Sequence, residues 1–313
     1  MAERKKHHFL PVFYLKQWAN ADGRLVEFKK LHGDIVKPRR THPRGTGWID
    51  RLYALKGVSG TAAVEFETAF LSPVDSKAAD ALRVMKDPKA AKLFSPKQRM
   101  AWAGFVNTLL ARMPEDIAKI KKYVKGDWIM SIAGLEAGYR QTKAPTDPET
   151  LREYLETTDN PLFEQGAMAV GRKVMGHQGV TRSIAAMHWS ILTMDRARHE
   201  LLTSDQPVIY TNLFGKPDSH LMMPIGPRLI FLAVHDRRLA EQMKKENNQH
   251  TMVTKMNRFL VESADNYVFG SADTQKAFVQ KYMSTVQRPT LIDRLHAMRM
   301  QRLEEIIRST PET

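Results

Sequence analysis

The period of the apolar pattern changes near Arg198, and that change most constrains what this chain can fold into. Before it, apolar residues recur every three or four positions, the spacing of one helix face. After it, short apolar runs are separated by Asp, Pro, Gly and Asn, which mark strands and turns. Trp102, Phe105, Val106, Leu109, Leu110 and Met113 make one helical face, opened by Ser95-Pro96, a capping residue followed by a proline at the first helical position. Residues 201–203, 208–210, 221–223 and 229–234 read as strands. The expected class is α+β: mainly helical, with a small antiparallel sheet built mostly from residues 200–235 and joined by N-terminal and 266–270 segments.

The 313 residues are expected to form a single composite domain, 1–313. Its parts are an N-terminal arm and hairpin (1–56), a helical part (57–197), a small sheet with two helices (198–271) and C-terminal helices (272–313). His7-His8-Phe9-Leu10-Pro11-Val12-Phe13-Tyr14-Leu15 reads as a buried arm, because it is apolar and aromatic and Pro11 biases Leu10 away from helix. Residues 24–28 alternate after the turn signal Asp22-Gly23 and suggest a hairpin strand. From 61 to 85 the pattern is helical, with Pro73 either kinking the helix or opening a second one capped by Ser72. Helices are expected over 163–175 and 181–194, the second with Ile184, Met187, Ile191 and Met194 aligned and with His188 and Asp195 on one face. Two turns separate that last pair, too far for both to ligate one metal ion. In a later helix, 251–264, Asn257 shares a face with Val253, Leu260 and Ala264.

Charge narrows the partners. Lys and Arg number 48 against 34 Asp and Glu, a formal net charge of +14, which favours a polyanion through counterion release. The densest basic run, Lys37-Pro38-Arg39-Arg40-Thr41-His42-Pro43-Arg44-Gly45, reads as a loop. Lys37, Arg39, Arg40 and Arg44 are its candidate nucleic-acid contacts, and Trp48 and Tyr53 behind them are either base-stacking or core aromatics. The absence of cysteine excludes disulfides, thiolate nucleophiles and cysteine-ligated metal. Any metal would be held by His, Asp or Glu. Pro11 and Lys16 interrupt the first apolar run, and no apolar segment approaches the roughly 18 residues of a membrane span. The expected location is cytoplasmic, with no membrane partner.

Three segments in order carry a family likeness: His8-Phe9-Leu10-Pro11-Val12-Phe13-Tyr14-Leu15, Thr203-Ser204-Asp205-Gln206-Pro207-Val208, and Asn257 ahead of Tyr267-Val268-Phe269. Pro224-Ile225-Gly226-Pro227, Glu67 and Arg112-Met113-Pro114 fit the same pattern. Together they resemble the bacterial domain of unknown function 4238 family across nearly the whole chain. Trp18 departs from it, where a phenylalanine is commoner. The resemblance implies one composite domain rather than a Rossmann or barrel enzyme, and it implies no activity.

The polar residues of that pattern are His8, Glu67, Arg112, Asp205 and Asn257. If they converge, they suit hydrolysis: Asp205 or Glu67 as base or ligand to a divalent metal, His8 as acid/base or ligand, Arg112 stabilising negative charge. With a basic surface, the substrate would be a phosphodiester. If they do not, Asp205 ties the strand corner through backbone N–H groups, His8 and Asn257 satisfy buried backbone, and Glu67 pairs with Arg112. The expected function is then a nucleic-acid- or protein-binding module, with the metal-dependent hydrolase as its alternative. No Walker A loop, GxGxxG, HExxH, GxSxG or zinc-ligand spacing is present.

Overall fold

A computed structural model describes residues 6–31, 35–55, 65–87, 89–90, 94–157, 161–212, 216, 218–245 and 248–309. Ten strands are described: β1 (Lys6–His8), β2 (Leu25–Lys30), β3 (Val36–Thr41), β4 (Trp48–Asp50), β5 (His188–Thr193), β6 (Thr203–Ser204), β7 (Ile209–Thr211), β8 (His220–Gly226), β9 (Leu229–Val234) and β10 (Tyr267–Gly270). The helices in chain order are α1 (Val12–Leu15), α2 (Ser72–Lys86), α3 (Pro96–Leu109), α4 (Pro114–Met130), α5 (Ile132–Thr142) and α6 (Leu151–Thr157). They continue with α7 (Pro161–Met175), α8 (Gln178–Ala186), α9 (Arg237–Lys245), α10 (Gln249–Ser263), α11 (Lys276–Tyr282) and α12 (Leu291–Ser309). The mainly helical α+β expectation holds. The strands, however, spread over three antiparallel sheets rather than one: β1-β4, β3-β2-β10-β6 and β5-β9-β8-β7.

Alternation explains how the last sheet is buried on both faces. Leu221, Met223 and Ile225 of β8 and Phe231 and Ala233 of β9 join the core formed with α2, α3 and the N-terminal arm. Their neighbours Met222, Ile230, Leu232 and Val234 point the other way, against Ala240 of α9 and Val253, Met256 and Leu260 of α10. Successive side chains on a strand face opposite sides, so an unbroken apolar run is what such a strand requires.

The arm is buried, and polar bonds fix its course. Phe9, Leu10, Tyr14, Leu15 and Trp18 are fully buried. The Tyr14 hydroxyl lies 2.8 Å from Thr203 Oγ1 and donates to the Pro224 carbonyl at 2.8 Å, while Trp18 Nε1 donates to the Leu201 carbonyl at 2.8 Å. Buried aromatics with a polar tip need such partners. These bonds stitch the arm to the corner near residue 205.

The helix at 96 starts as its sequence suggests. Ser95 caps it, and Gln98 completes the reciprocal capping box. Two other expectations change. Residues 181–194 are not one helix: α8 ends at Ala186, Met187 is extended (φ −61, ψ 156), and β5 pairs with β9 along its whole length. Ile184, Met187, Ile191 and Met194 are spaced for a helix, but Trp189 packs edge-on against Phe231 at 5.0 Å and the aromatic and β-branched run serves as a strand. The proposed helical face carrying His188 and Asp195 therefore does not exist. Near Pro73, a π-helical turn, Phe66–Leu71, runs directly into α2, and Pro73 sits in the first α turn where its missing N–H is tolerated. Ser72 does not cap, and residues 61–64 lie outside the described residues.

The sheet β3-β2-β10-β6 draws on both halves of the chain. Val26, Phe28, Val36 and Val268 turn one face onto Val261 of α10 and Val279 of α11. On the opposite face, Leu25 and Phe269 are covered by the arm. The other end of that face is open, and the candidate site begins there.

Candidate functional site

Arg112 lies beyond the end of α3, fully buried, just before Pro114 opens α4. Its Nη1 and Nη2 donate to Asp75 Oδ1 and Oδ2 at 2.8 and 3.1 Å, and Nη2 also donates to the His8 carbonyl at 2.9 Å. Burial opposes the charge, but the Asp75 carboxylate more than compensates and holds the guanidinium above the ordinary arginine value. The Tyr53 hydroxyl donates to the Arg112 carbonyl at 2.7 Å, and its ring is stacked between His7 (5.7 Å) and Phe66 (5.4 Å). Tyr53 is thus a core aromatic. Its backbone N–H donates to His7 Nδ1 at 3.0 Å. Glu67, on the π-helical turn, is buried and contributes to the field at Arg112 and Tyr53.

The bidentate partner of Arg112 is Asp75, and the expected partner Glu67 adds to the field at the guanidinium. Asp75 lies further along the same helical stretch, where the packing of α2 against α3 presents both of its oxygens to a planar fork.

Asp205 is bound elsewhere. Its carboxylate accepts the backbone N–H groups of Asp265 (2.9 Å), Asn266 (2.7 Å) and Tyr267 (2.9 Å), while its own N–H donates to the Tyr267 carbonyl at 3.0 Å. Burial pushes the carboxyl up to about 6, and the three N–H donors work in the opposite direction. Asn257 belongs to a third network. Its Oδ1 accepts from Leu202 N at 2.8 Å, and its Nδ2 donates to the Glu200 carbonyl at 2.8 Å and to Gln275 Oε1 at 3.1 Å.

Of the five residues expected to form one centre, His8, Glu67 and Arg112 are brought together. Asp205 and Asn257 each tie down a different piece of backbone. Phe9 against Tyr267, with ring centroids 5.8 Å apart, connects the arm to the Asp205 corner. Among the described residues, no group of three or more His, Asp or Glu is placed to hold a metal ion.

What the structure adds is a groove. β2 is paired with both β3 and β10, and the register puts Lys37 opposite Lys29 and Lys29 opposite Tyr267 in one cross-strand row on the open face. Both lysines are exposed, and the Lys29 ammonium lies 5.5 Å from the Tyr267 ring centre. A cavity of about 620 Å³ beside this row is walled by Lys37, Arg39 and half-buried Trp48, under which Lys6 sits at 4.5 Å from the ring. It shares Lys29 and Tyr267 with a larger cavity of about 990 Å³, which is lined on its far side by Glu115, Lys119, Tyr210, Asp265, Arg288 and Arg294.

The basic run at 37–45 is therefore not a loop through most of its length. Residues 36–41 form β3, and Pro38 is tolerated because β3 is an edge strand. Strand alternation also divides its cations. Arg39 pairs with Glu27 at 3.1 Å, Arg40 faces the other side and pairs with Asp22 at 2.5 Å, and Arg44 lies in the 3-10 turn Pro43–Gly45. Among the described residues, Lys37 and Lys29 form no ion pair. Lys29 carries no sequence signal of a site, and Tyr267 stands out there only as part of the last strand-like segment. The alternation of 25–30 puts Lys29 on the face of Glu27, but only the pairing of β2 with β10 puts Tyr267 beside it.

The model of a family described as protein of unknown function (DUF4238) matches residues 6–274. No curated protein and no solved structure matches the chain. Lys29, Lys37, Trp48 and Tyr267 lie inside the matched span, whereas α12 and its Arg294 lie beyond it. No helix among the described residues is long and apolar enough to cross a membrane.

Proposed function

We propose that this chain, which belongs to the DUF4238 family, binds single-stranded nucleic acid along the groove over β3, β2 and β10. The observation that carries the reading is the row Lys37–Lys29–Tyr267. Like charges directly opposite one another across paired strands are unfavourable, and an anion lying between them relieves that repulsion. Tyr267 and Trp48, both partly exposed, line the same cavity as the two lysines. Cations alternating with aromatic faces suit a ligand with both phosphates and accessible base faces, and a single strand offers both where a duplex hides its bases. The net charge of +14 acts in the same direction at longer range. The hydrolase alternative draws less support, because Asp205 is engaged by three backbone donors in a network separate from that of His8 and Arg112.

Fluorescence anisotropy with a labelled single-stranded oligonucleotide over a range of salt concentrations tests the reading. Lys29→Glu/Lys37→Glu is expected to weaken binding by about tenfold or more and to reduce the salt slope by roughly 1.4. Trp48→Ala is expected to weaken binding by about 1–3 kcal/mol with the salt slope kept. Arg40→Glu, on the opposite face, should change little. Equal affinity and slope for the wild type and the double lysine variant would remove this groove as the binding site.

A further inference from the structure

The larger cavity repeats, at a second place, the cation-on-ring arrangement of the smaller one. Among the described residues four cations line it, and two of these are engaged by acids. Lys119 bridges Glu115 at 2.7 Å and Asp293 at 2.8 Å, and Arg288 pairs with Glu262 at 3.0 Å. Lys29 and Arg294 form no ion pair among the described residues. Each stands over a tyrosine ring instead: Lys29 lies 5.5 Å from the centre of Tyr267, and Arg294 lies 5.1 Å from the centre of Tyr210. Tyr267 comes from β10 and Tyr210 from β7, so two sheets contribute to one cavity.

The acids on its wall are bonded within the fold. Asp205 is held by three backbone N–H groups, Asp265 accepts from Gln206 Nε2 at 2.9 Å, and Glu115 and Asp293 share Lys119. A close ion pair cancels within a few ångström, whereas an unpaired cation keeps its field. Phosphate is therefore drawn to Lys29 and to Arg294.

Docking of α12 on α4 sets the position of Arg294. Asp293, its neighbour, accepts from Lys119 and from the Tyr123 hydroxyl at 2.7 Å, His296 stacks on Tyr123 at 3.9 Å, and Arg299 pairs with Asp127 at 3.1 Å. Leu291 and Ile292 are buried in the same turn. The helix turn that carries the guanidinium is thus fixed before any ligand arrives, which lowers the cost of binding there.

The two cavities share one stretch of wall, Lys29 and Tyr267. Given the groove reading, on which this inference rests, we propose that the single strand passes that shared wall and continues into the larger cavity, where the Arg294–Tyr210 pair takes a further phosphate and base. The footprint then covers both cavities, and α12, which lies beyond the span matched by the family model, contributes a cation to it.

The probe is an oligothymidylate of about 12 nucleotides, long enough to occupy both cavities. In anisotropy titrations over a range of salt concentrations, Arg294→Ala is expected to weaken binding by about threefold to tenfold and to reduce the salt slope by about 0.7. Tyr210→Leu is expected to weaken binding by about fivefold or more with the slope kept. Arg302→Ala removes the same charge from the same helix outside the cavity, and its slope should match that of the wild type.

Tyr210 is half-buried, so a measurement that leaves it in place runs alongside. The same probe, carrying a photoreactive halogenated uracil at successive positions, is expected to cross-link Tyr210 from one position and Tyr267 or Trp48 from another. An Arg294→Ala protein indistinguishable from Arg302→Ala, while Lys29→Glu/Lys37→Glu still weakens binding, overturns the continuation and leaves the groove reading standing. Cross-links confined to Tyr267 and Trp48 do the same. No binding by the wild type overturns the groove reading and the continuation with it.

Discussion

Arg112→Met is expected to lower the unfolding free energy by about 3–5 kcal/mol, because removing one partner of a buried ion pair strands the other. Asp75, its side chain 16% exposed, would keep a carboxylate with no cation in bidentate contact. The His8 carbonyl would lose its donor in the same step, loosening the start of the arm. Urea denaturation followed by circular dichroism measures the loss. Arg112→Met/Asp75→Asn should recover part of it, because the uncompensated charge is gone. Glu67→Gln should cost less than Asp75→Asn, since the short bonds of the guanidinium run to Asp75. A single Arg112 variant within about 1 kcal/mol of wild type would contradict this picture, given the usual size of the buried-pair penalty.

Asp205→Ala is the second large effect. Three consecutive N–H groups, those of Asp265, Asn266 and Tyr267, converge on one carboxylate, and alanine leaves all three without their acceptor. Each buried donor left unmade costs about 1–3 kcal/mol. Because the corner borders the larger cavity, water can reach part of it, so the expected total is about 3 kcal/mol rather than the full sum. Asp205→Asn keeps one acceptor oxygen and turns an NH₂ toward the remaining donors, so it should lie between wild type and alanine. Thermal unfolding measures both. The result also separates a structural tie from a catalytic base: a base replaced by alanine loses turnover while stability is little changed, whereas a tie loses stability first. Binding in the groove should weaken as well, since Tyr267, one of the three donors, also walls the groove.

Much of the architecture was legible because its causes are local. Ser95-Pro96 with Gln98 three residues later encodes a capped helix start, and the structure has that capping box. The apolar runs at 221–223 and 229–234 encode short strands, and both lie in one antiparallel sheet whose two faces are covered. The aromatic arm had too much apolar surface to remain outside, and its rings fill the main core. The likeness carried by the His-aromatic start, the Ser-Asp-x-Pro corner and the Asn257 helix is matched by the family model over residues 6–274.

Local pattern failed where two periods fit the same residues or where the partner lay far along the chain. Residues 184–194 satisfy helical spacing as well as strand alternation, and the pairing of β5 with β9 selects the strand. The prolines of 37–45 suggested a loop, but a proline at a sheet edge does not interrupt a strand. Asp75 as the bidentate acceptor for Arg112 was not legible in the sequence, because the packing of α2 against α3 places it there. Periodicity and capping arise within a few residues, so order along the chain was enough for the fold class, the capped helix at 96, the buried arm and the family. Which side chains meet across the groove, Lys37 with Lys29 and Lys29 with Tyr267, depends on strand register between distant segments. Those pairings exist only once the whole chain has packed.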